Sequence, residues 1–219
     1  MTELNMDQAR FNMVEQQIRT WEVLDPKVLD LLKKMPREDF VPAAYRKLAY
    51  ADMAIPLNGE KMMHPKIEAH LLQALDIQPE DVVLEVGTGS GFVTALLARL
   101  ARHVYSVDIN PAFVQQAAEK LKAHGIDNVT LEEGDASKGW DKHAPYDAIA
   151  ITGGFPSIPE SYERALKIGG RLFVIAGEQG LMEAWLITRT GEQNWERKSL
   201  FETEIDLLEN TQPPPRFEF

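Results

Sequence analysis

The pattern of apolar and polar positions changes character near residue 80. Before it, apolar residues recur at helical spacing. Over 7–18, Phe11, Val14 and Ile18 share one stripe with Gln16, Gln17 and Arg19 outside it, which predicts a helix. Asp25-Pro26 supplies a cap and first-turn pair for a second helix, with Val28, Leu29, Leu32 and Met35 on its apolar face and Pro36 beyond its end. His64-Pro65 opens a third, carrying Ile67, Leu71, Leu72 and Leu75. The stretches 37–42 and 54–59 read as loops. From Asp81 onward, short apolar runs alternate with helical ones: strands over 82–86, 104–107, 129–132, 146–152 and 171–176, and helices over 92–101, 113–123 and 159–166. Two further strands, 184–189 and 195–201, flank Thr190-Gly191-Glu192 as a hairpin. This alternation predicts an α/β fold, a doubly wound and mostly parallel seven-stranded sheet with the N-terminal helices packed against it. Residues 1–219 are expected to form one domain, with 1–80 as a helical cap and 81–219 as the α/β core.

Chemistry enters where the first strand ends. Val82, Val83, Leu84 and Val86 make the near-continuous apolar run of a parallel strand covered on both faces. Gly87-Thr88-Gly89-Ser90-Gly91 follows, and then a helix-forming run free of Gly and Pro. A strand feeding a tight glycine turn and a helix N-terminus offers bare backbone N–H groups to a ligand. The spacing is not the dinucleotide fingerprint G-x-G-x-x-G, which needs glycine where this chain has Phe92. Instead Glu85 stands two residues before the first glycine, an arrangement suited to a cationic ligand without a diphosphate. Its carboxylate is expected to face that positive charge, directly or through water. The second strand ends in Asp108, twenty-one residues after Gly87, followed by Ile109 and the helix-starting pair Asn110-Pro111. An acid there accepts hydrogen bonds from ribose hydroxyls in doubly wound sheets. The third strand ends in Gly134-Asp135-Ala136 and the fourth in Thr152-Gly153-Gly154. Ligands bind beyond the carboxyl ends of such strands, so these four stretches are expected to converge, with Asp135 available to an adenine amino group.

Composition removes several function classes. The net charge is −11 and no basic patch is evident, which argues against a nucleic-acid partner. Cysteine is absent, so there is no thiolate metal site and no Cys nucleophile, and the five histidines show no metal-ligand spacing. No G-x-S-x-G elbow is present. No apolar run approaches 18 residues and the N-terminal residues lack a signal-peptide pattern, so no membrane partner is expected and the cytoplasm is the expected compartment.

Several segments together resemble the protein-L-isoaspartate O-methyltransferase family. They are Met13-Val14-Glu15-Gln16-Gln17-Ile18, Asp25-Pro26-x-Val28-Leu29, Pro36-Arg37-Glu38-Asp39-Phe40-Val41-Pro42, Tyr50-x-Asp52 with Ile55-Pro56-Leu57, and Leu84-Glu85-Val86-Gly87-Thr88-Gly89-Ser90-Gly91. The resemblance implies a class I S-adenosylmethionine (SAM)-dependent methyltransferase sheet and SAM as cofactor. It implies methylation of a carboxylate on damaged protein, or of another small nucleophile. Two departures stand out. The family's proposed catalytic segment, Gly-x-Gly-Gln-Thr-x-Ser-x-Pro, is replaced by Asn58-Gly59-Glu60-Lys61-Met62-Met63-His64-Pro65, one residue shorter, with Lys61 and Met63 at the Thr and Ser positions. The family's C-terminal Phe-Val-Pro-Leu strand is replaced by Phe201-Glu202-Thr203-Glu204-Ile205-Asp206, ending in the Pro213-Pro214-Pro215-Arg216 tail.

Both departures fall where the family holds its acceptor, and neither touches the cofactor motifs. A carboxylate acceptor has a reference pKa near ~4, so it is ionised at neutral pH and needs orientation rather than a base. Lys61 could anchor it as a cation, and His64 is a second positioning candidate, although a lysine in a polar loop is ordinarily solvated. Met62 and Met63 either line the pocket or pack on the third helix. The acids at 202, 204 and 206 would repel an acidic ligand if they face the site. These features predict normal SAM binding with weak or absent transfer to an isoaspartyl peptide. The alternative they leave open is a catalytically silent SAM-binding sensor or scaffold.

Overall fold

The computed structural model describes residues 5–211. The Pro213-Pro214-Pro215-Arg216 tail lies outside the described residues. The chain begins with helix α1 (Met6–Asn12), capped by the Asn5 side chain, and widens into a π-helical stretch over Met13–Ile18. Met13, Val14 and Ile18 are buried there, but Phe11 is half exposed, so the expected stripe is carried by the π-helical residues and not by Phe11. Widening the helix turns Met13 and Val14 inward together, which a 3.6-residue stripe does not anticipate. Helix α2 (Pro26–Lys34) starts at Asp25, whose side chain accepts from Lys27 N.

The stretch expected to be a loop over 54–59 is instead half of a hairpin, β1 (Ile55–Leu57) paired antiparallel with β2 (Glu60–Met62). Asn58 and Gly59 both take positive φ at its tip, the geometry of a tight two-residue connection. Two three-residue strands, the first with Pro56 at its centre, are too short for period-2 patterning to reveal. The expected loop over 37–42 holds a single 3₁₀ turn, Arg37–Asp39. Helix α3 (Pro65–Leu75) then packs its apolar face into the main core.

Beyond residue 80 the order is β3 (Val82–Val86), α4 (Phe92–Leu100), β4 (His103–Asp108), α5 (Pro111–Ala123), β5 (Val129–Glu133) and β6 (Tyr146–Phe155). There follow α6 (Glu160–Arg164), β7 (Leu166–Ala176), β8 (Glu183–Gly191) and β9 (Asn194–Glu202). The seven strands lie in the order β5-β4-β3-β6-β7-β8-β9. The first five are mutually parallel, and β8 runs antiparallel to both of its neighbours. The chain winds outward from β3 to β5, then returns to β6 on the other side of β3. That reversal opens a crevice beyond the carboxyl ends of β3 and β6, where doubly wound sheets bind ligands. One face of the sheet packs on α3, α4, α5 and the N-terminal helices, and the other on Tyr162 and its neighbours.

A buried ion pair ties the hairpin to this body. Arg37 is fully buried, donates from Nε and Nη2 to the two oxygens of Glu68, and gives further bonds to the Ala49 and Met63 carbonyls at 2.8 and 2.9 Å. Its guanidinium also lies over the Phe92 ring. Burial pushes the Glu68 carboxyl up, and Arg37 opposes that shift. The Pro36-Arg37-Glu38 string therefore has a structural role, holding the Met63 backbone to the start of α3.

Candidate active site

The crevice at the sheet's switch point is a cavity of about 460 Å³, within the range of small-molecule sites. Four strand ends meet there. Gly87 and Gly89 follow β3, with φ of +94° and +50° that only glycine adopts without strain. A Cβ on Gly87 would run into the Thr152 hydroxyl, and one on Gly134 into the Trp140 indole. Asp108 ends β4 and Ile109 follows it, Gly134, Asp135 and Ala136 follow β5, and Thr152 lies in β6.

Asp108 is 8% exposed, and its Oδ2 and Oδ1 accept from Gly89 N at 2.8 Å and Asn110 N at 2.9 Å. Burial pushes its carboxyl up, while those two N–H donors pull it down. Each oxygen keeps a lone pair for a ligand hydroxyl. Asp135 also lines the cavity, with Oδ1 accepting from Ser137 N and Oδ2 from the Asn210 side chain.

Glu85 departs from expectation. It is fully buried and does not line the cavity; its Oε2 accepts from Thr94 at 2.5 Å and Ser106 at 2.6 Å. Thr88 bonds Ser106 in turn at 2.6 Å. Burial pushes the Glu85 carboxyl up to about 8, and Oε1 is buried with no partner. Glu85 thus fastens the glycine turn to α4 and β4 from beneath instead of facing a ligand, because alternation along β3 aims its side chain into the sheet–helix layer. Thr88, Ser90 and Gly91 are likewise outside the main cavity. The Ser90 hydroxyl accepts from Phe92 N, and a Cβ on Gly91 would press on Ala117 of α5 at 3.0 Å.

The opposite wall comes from distant parts of the chain. Leu57, Glu60, Lys61, Met62, Met63 and His64 line it from the hairpin and its exit, and residues 204–209 line it from the segment after β9. Met62 and Met63 are buried as well as lining. His64 sits at the start of α3 with Nδ1 3.1 Å from Asp52, which also pairs with Lys66. Lys61 Nζ lies 2.9 Å from Asp206, and that pair raises the lysine pKa. The 204–209 segment is strapped to β6 by Gly154 N donating to the Asp206 carbonyl and Leu208 N donating to the Gly154 carbonyl, both at 2.9 Å. Of the acids that sequence reasoning singled out, Glu204 and Asp206 line the cavity and Glu202 does not. That reasoning missed Glu209, and also Leu207 and Leu208, whose signal was an apolar pair inside an acidic run. It also missed Asn110 and Phe113, which line the cavity from the first turns of α5.

A parallel sheet with its switch point at a glycine turn, an acid at the next strand end and a cavity spanning four strand ends define a class I SAM-dependent methyltransferase fold. Comparison with known proteins narrows this. Residues 8–205 match the family described as Protein-L-isoaspartate(D-aspartate) O-methyltransferase (PCMT), and the chain belongs to that family. A Rhodopseudomonas palustris protein-L-isoaspartate O-methyltransferase is 42% identical over 190 residues, covering 86% of this chain and 87% of the relative. A second such protein, protein-L-isoaspartate O-methyltransferase 2 of Pelobacter propionicus, is 37% identical over 90% of this chain and 88% of its own length. A solved Plasmodium falciparum structure described as a protein-L-isoaspartate O-methyltransferase, in complex with S-adenosyl-L-homocysteine, superimposes with a TM-score of 0.79 at 19% identity. It covers 94% of this chain and 99% of that one, and shows the fold. Membership of the family makes the chain a SAM-dependent O-methyltransferase.

Proposed function

We propose that this chain holds SAM across the strand ends and transfers its methyl group to a carboxylate on a protein or peptide. The single observation that carries the reading is one continuous cavity with two unlike ends. At one end stand Gly87, Gly89, Asp108, Ile109 and residues 134–136; at the other stands Lys61 with the methionines of the hairpin. Asp108 would take the ribose hydroxyls, Gly87 and Gly89 would let the cofactor approach bare backbone, and Asp135 would face the adenine. When bound, SAM supplies a methyl group on a sulfonium and leaves as a neutral thioether. The protein's part is to orient an already ionised acceptor and exclude water. Met62, Met63 and Ile67 supply an apolar wall, and Lys61 the cation.

Residues 1–80 then serve as the acceptor-side cap and 81–219 as the cofactor core. Repair of damaged protein in the cytoplasm is the setting that fits the family and the cysteine-free composition. Among the described residues no helix is long and apolar enough to cross a membrane. An isoaspartyl peptide is the reference acceptor, turned over slowly because Lys61 is a flexible point charge where fixed hydroxyl donors would orient better. The test is transfer of radiolabelled methyl to an isoaspartyl peptide, with its aspartyl isomer as control, followed by mild base. Slow, base-labile, isomer-specific labelling supports the reading. Base-stable label on any acceptor, or no transfer with SAM bound, overturns it.

A further inference from the structure

A methyl-accepting carboxylate in this cavity has to be held by a donor or a cation, since orientation is what the transfer requires. Among the described lining residues the side chains able to do this are Lys61, His64, Asn110, Ser137 and Thr152. Four are otherwise placed. Thr152 gives its hydroxyl to the Val86 and Gly87 carbonyls, His64 is held by Asp52, and Asn110 and Ser137 stand with the cofactor-end strand termini. Lys61 is left, and a carboxylate already sits on it: Asp206, at 2.9 Å. That carboxylate is delivered from a fixed direction, because the Asp206 carbonyl accepts from Gly154 N and the next pin, Leu208 N to the Gly154 carbonyl, follows two residues on.

We propose that Asp206 is a built-in competitor for the Lys61 ammonium and so weakens every acceptor that is seated there by its carboxylate. An incoming carboxylate is seated by displacing it. The inference rests on the carboxylate-acceptor reading above. Both side chains are more than half exposed, 55% for Lys61 and 57% for Asp206. Exposed pairs shift an equilibrium by only about one- to fivefold, so Asp206 lowers the affinity for carboxylate acceptors without shutting the site. An acceptor that brings further contacts of its own displaces it, and a bare carboxylate competes poorly.

Calorimetric titration of an isoaspartyl peptide into the full-length protein saturated with S-adenosylhomocysteine reads this without turnover. Asp206→Asn is expected to tighten the peptide about two- to fivefold at low salt, with the gain shrinking at high salt. Asp206→Glu should bind like the parent. In a Lys61→Met background the Asp206→Asn gain should shrink to the part that relief of charge repulsion alone contributes, and in kinetics the gain should fall on KM and not on kcat. An unchanged affinity in Asp206→Asn, an equal gain without Lys61, or a peptide that binds no form of the protein would each overturn the proposal. A protein that binds peptide with this pattern yet transfers no methyl would instead refute carboxyl methylation and leave the Asp206–Lys61 competition standing.

Discussion

The two ends of the cavity are built by different rules. The cofactor end draws on consecutive strands, β3 to β6, held in parallel register so that their carboxyl termini end level with one another. Its chemistry is local in sequence: a turn follows a strand, and an acid follows the next. The acceptor end is assembled from a hairpin at residues 55–62 and a strap at 204–209, some 145 residues apart, joined across the cavity by Lys61 and Asp206. The first kind of site is fixed by topology and tolerates little change. The second is fixed by a few pins, which makes it the part where recognition can be rewritten while the fold stays intact.

The strongest way to break the acceptor end alone is at its anchor. Arg37→Met leaves Glu68 buried and unpaired and releases the Met63 carbonyl. Removing one partner of a buried pair costs about 3–5 kcal/mol, so urea denaturation should show a loss of that order. Arg37→Met with Glu68→Leu removes both charges and should recover much of that stability. Its affinity for acceptor should stay low because the hairpin is still unpinned. Full recovery of acceptor binding in the double variant would mean that the pins do not matter.

Glu85 tests the cofactor end from beneath. Its carboxyl is raised in the folded chain to about 8 from an ordinary value of 4.5. The folded state therefore holds a proton that the unfolded state releases, and the associated stability is present at low pH and lost as pH rises from about 4.5 through 8. Glu85→Gln keeps an acceptor for Thr94 and Ser106 but has no proton to lose. Between pH 5 and pH 9 the parent should lose stability relative to this variant by roughly 2–4 kcal/mol. Parallel pH profiles of the two would show that Glu85 is ionised inside the fold.

Asp108→Ala probes the ligand face of the same end. Charge-assisted hydrogen bonds of about 1.5–3 kcal/mol predict a loss of about 10- to 150-fold in S-adenosylhomocysteine affinity by calorimetry. Part of that loss comes from the Gly89 and Asn110 N–H groups, which would lose their acceptor. Asp108→Asn retains one acceptor oxygen and should fall between. Unchanged affinity in a folded Asp108→Ala would place the cofactor elsewhere.

The contrast also explains what could be read without coordinates. The α/β alternation, the glycine turn and Asp108 announce themselves because each is a short-range pattern with one structural reading. Glu85 was visible as an acid beside that turn, but which face of β3 it occupies depended on the register of the strand against its helices. The hairpin was invisible because Pro56 and two three-residue strands carry no periodicity. The Lys61–Asp206 pair was visible only as two suspicious segments, since nothing local ties position 61 to position 206.

The smallest predicted effect is the one that bears most directly on substrate. Lys61→Thr with Met63→Ser restores hydroxyls where the family's motif has them, and at the same stroke frees Asp206 from its partner. Two opposing terms follow. A positioned hydroxyl contributes about 0.5–1.5 kcal/mol, a few-fold in transfer to an isoaspartyl peptide. The released Asp206 carboxylate, with Glu60 and Glu204 nearby in the lining, adds repulsion against the same acceptor. Met63 is buried, so Met63→Ser also leaves a small void and a hydroxyl that needs a partner. The net gain in the double variant should therefore be no more than a few-fold. Adding Asp206→Asn should raise it further, because the third change removes the repulsion without touching the new hydroxyls. Radiolabelled transfer measured at saturating SAM distinguishes the cases. A double variant that already turns over briskly would mean that hydroxyl placement alone limits this site, and a triple variant no better than the double would mean that the released Asp206 carboxylate does not repel the acceptor.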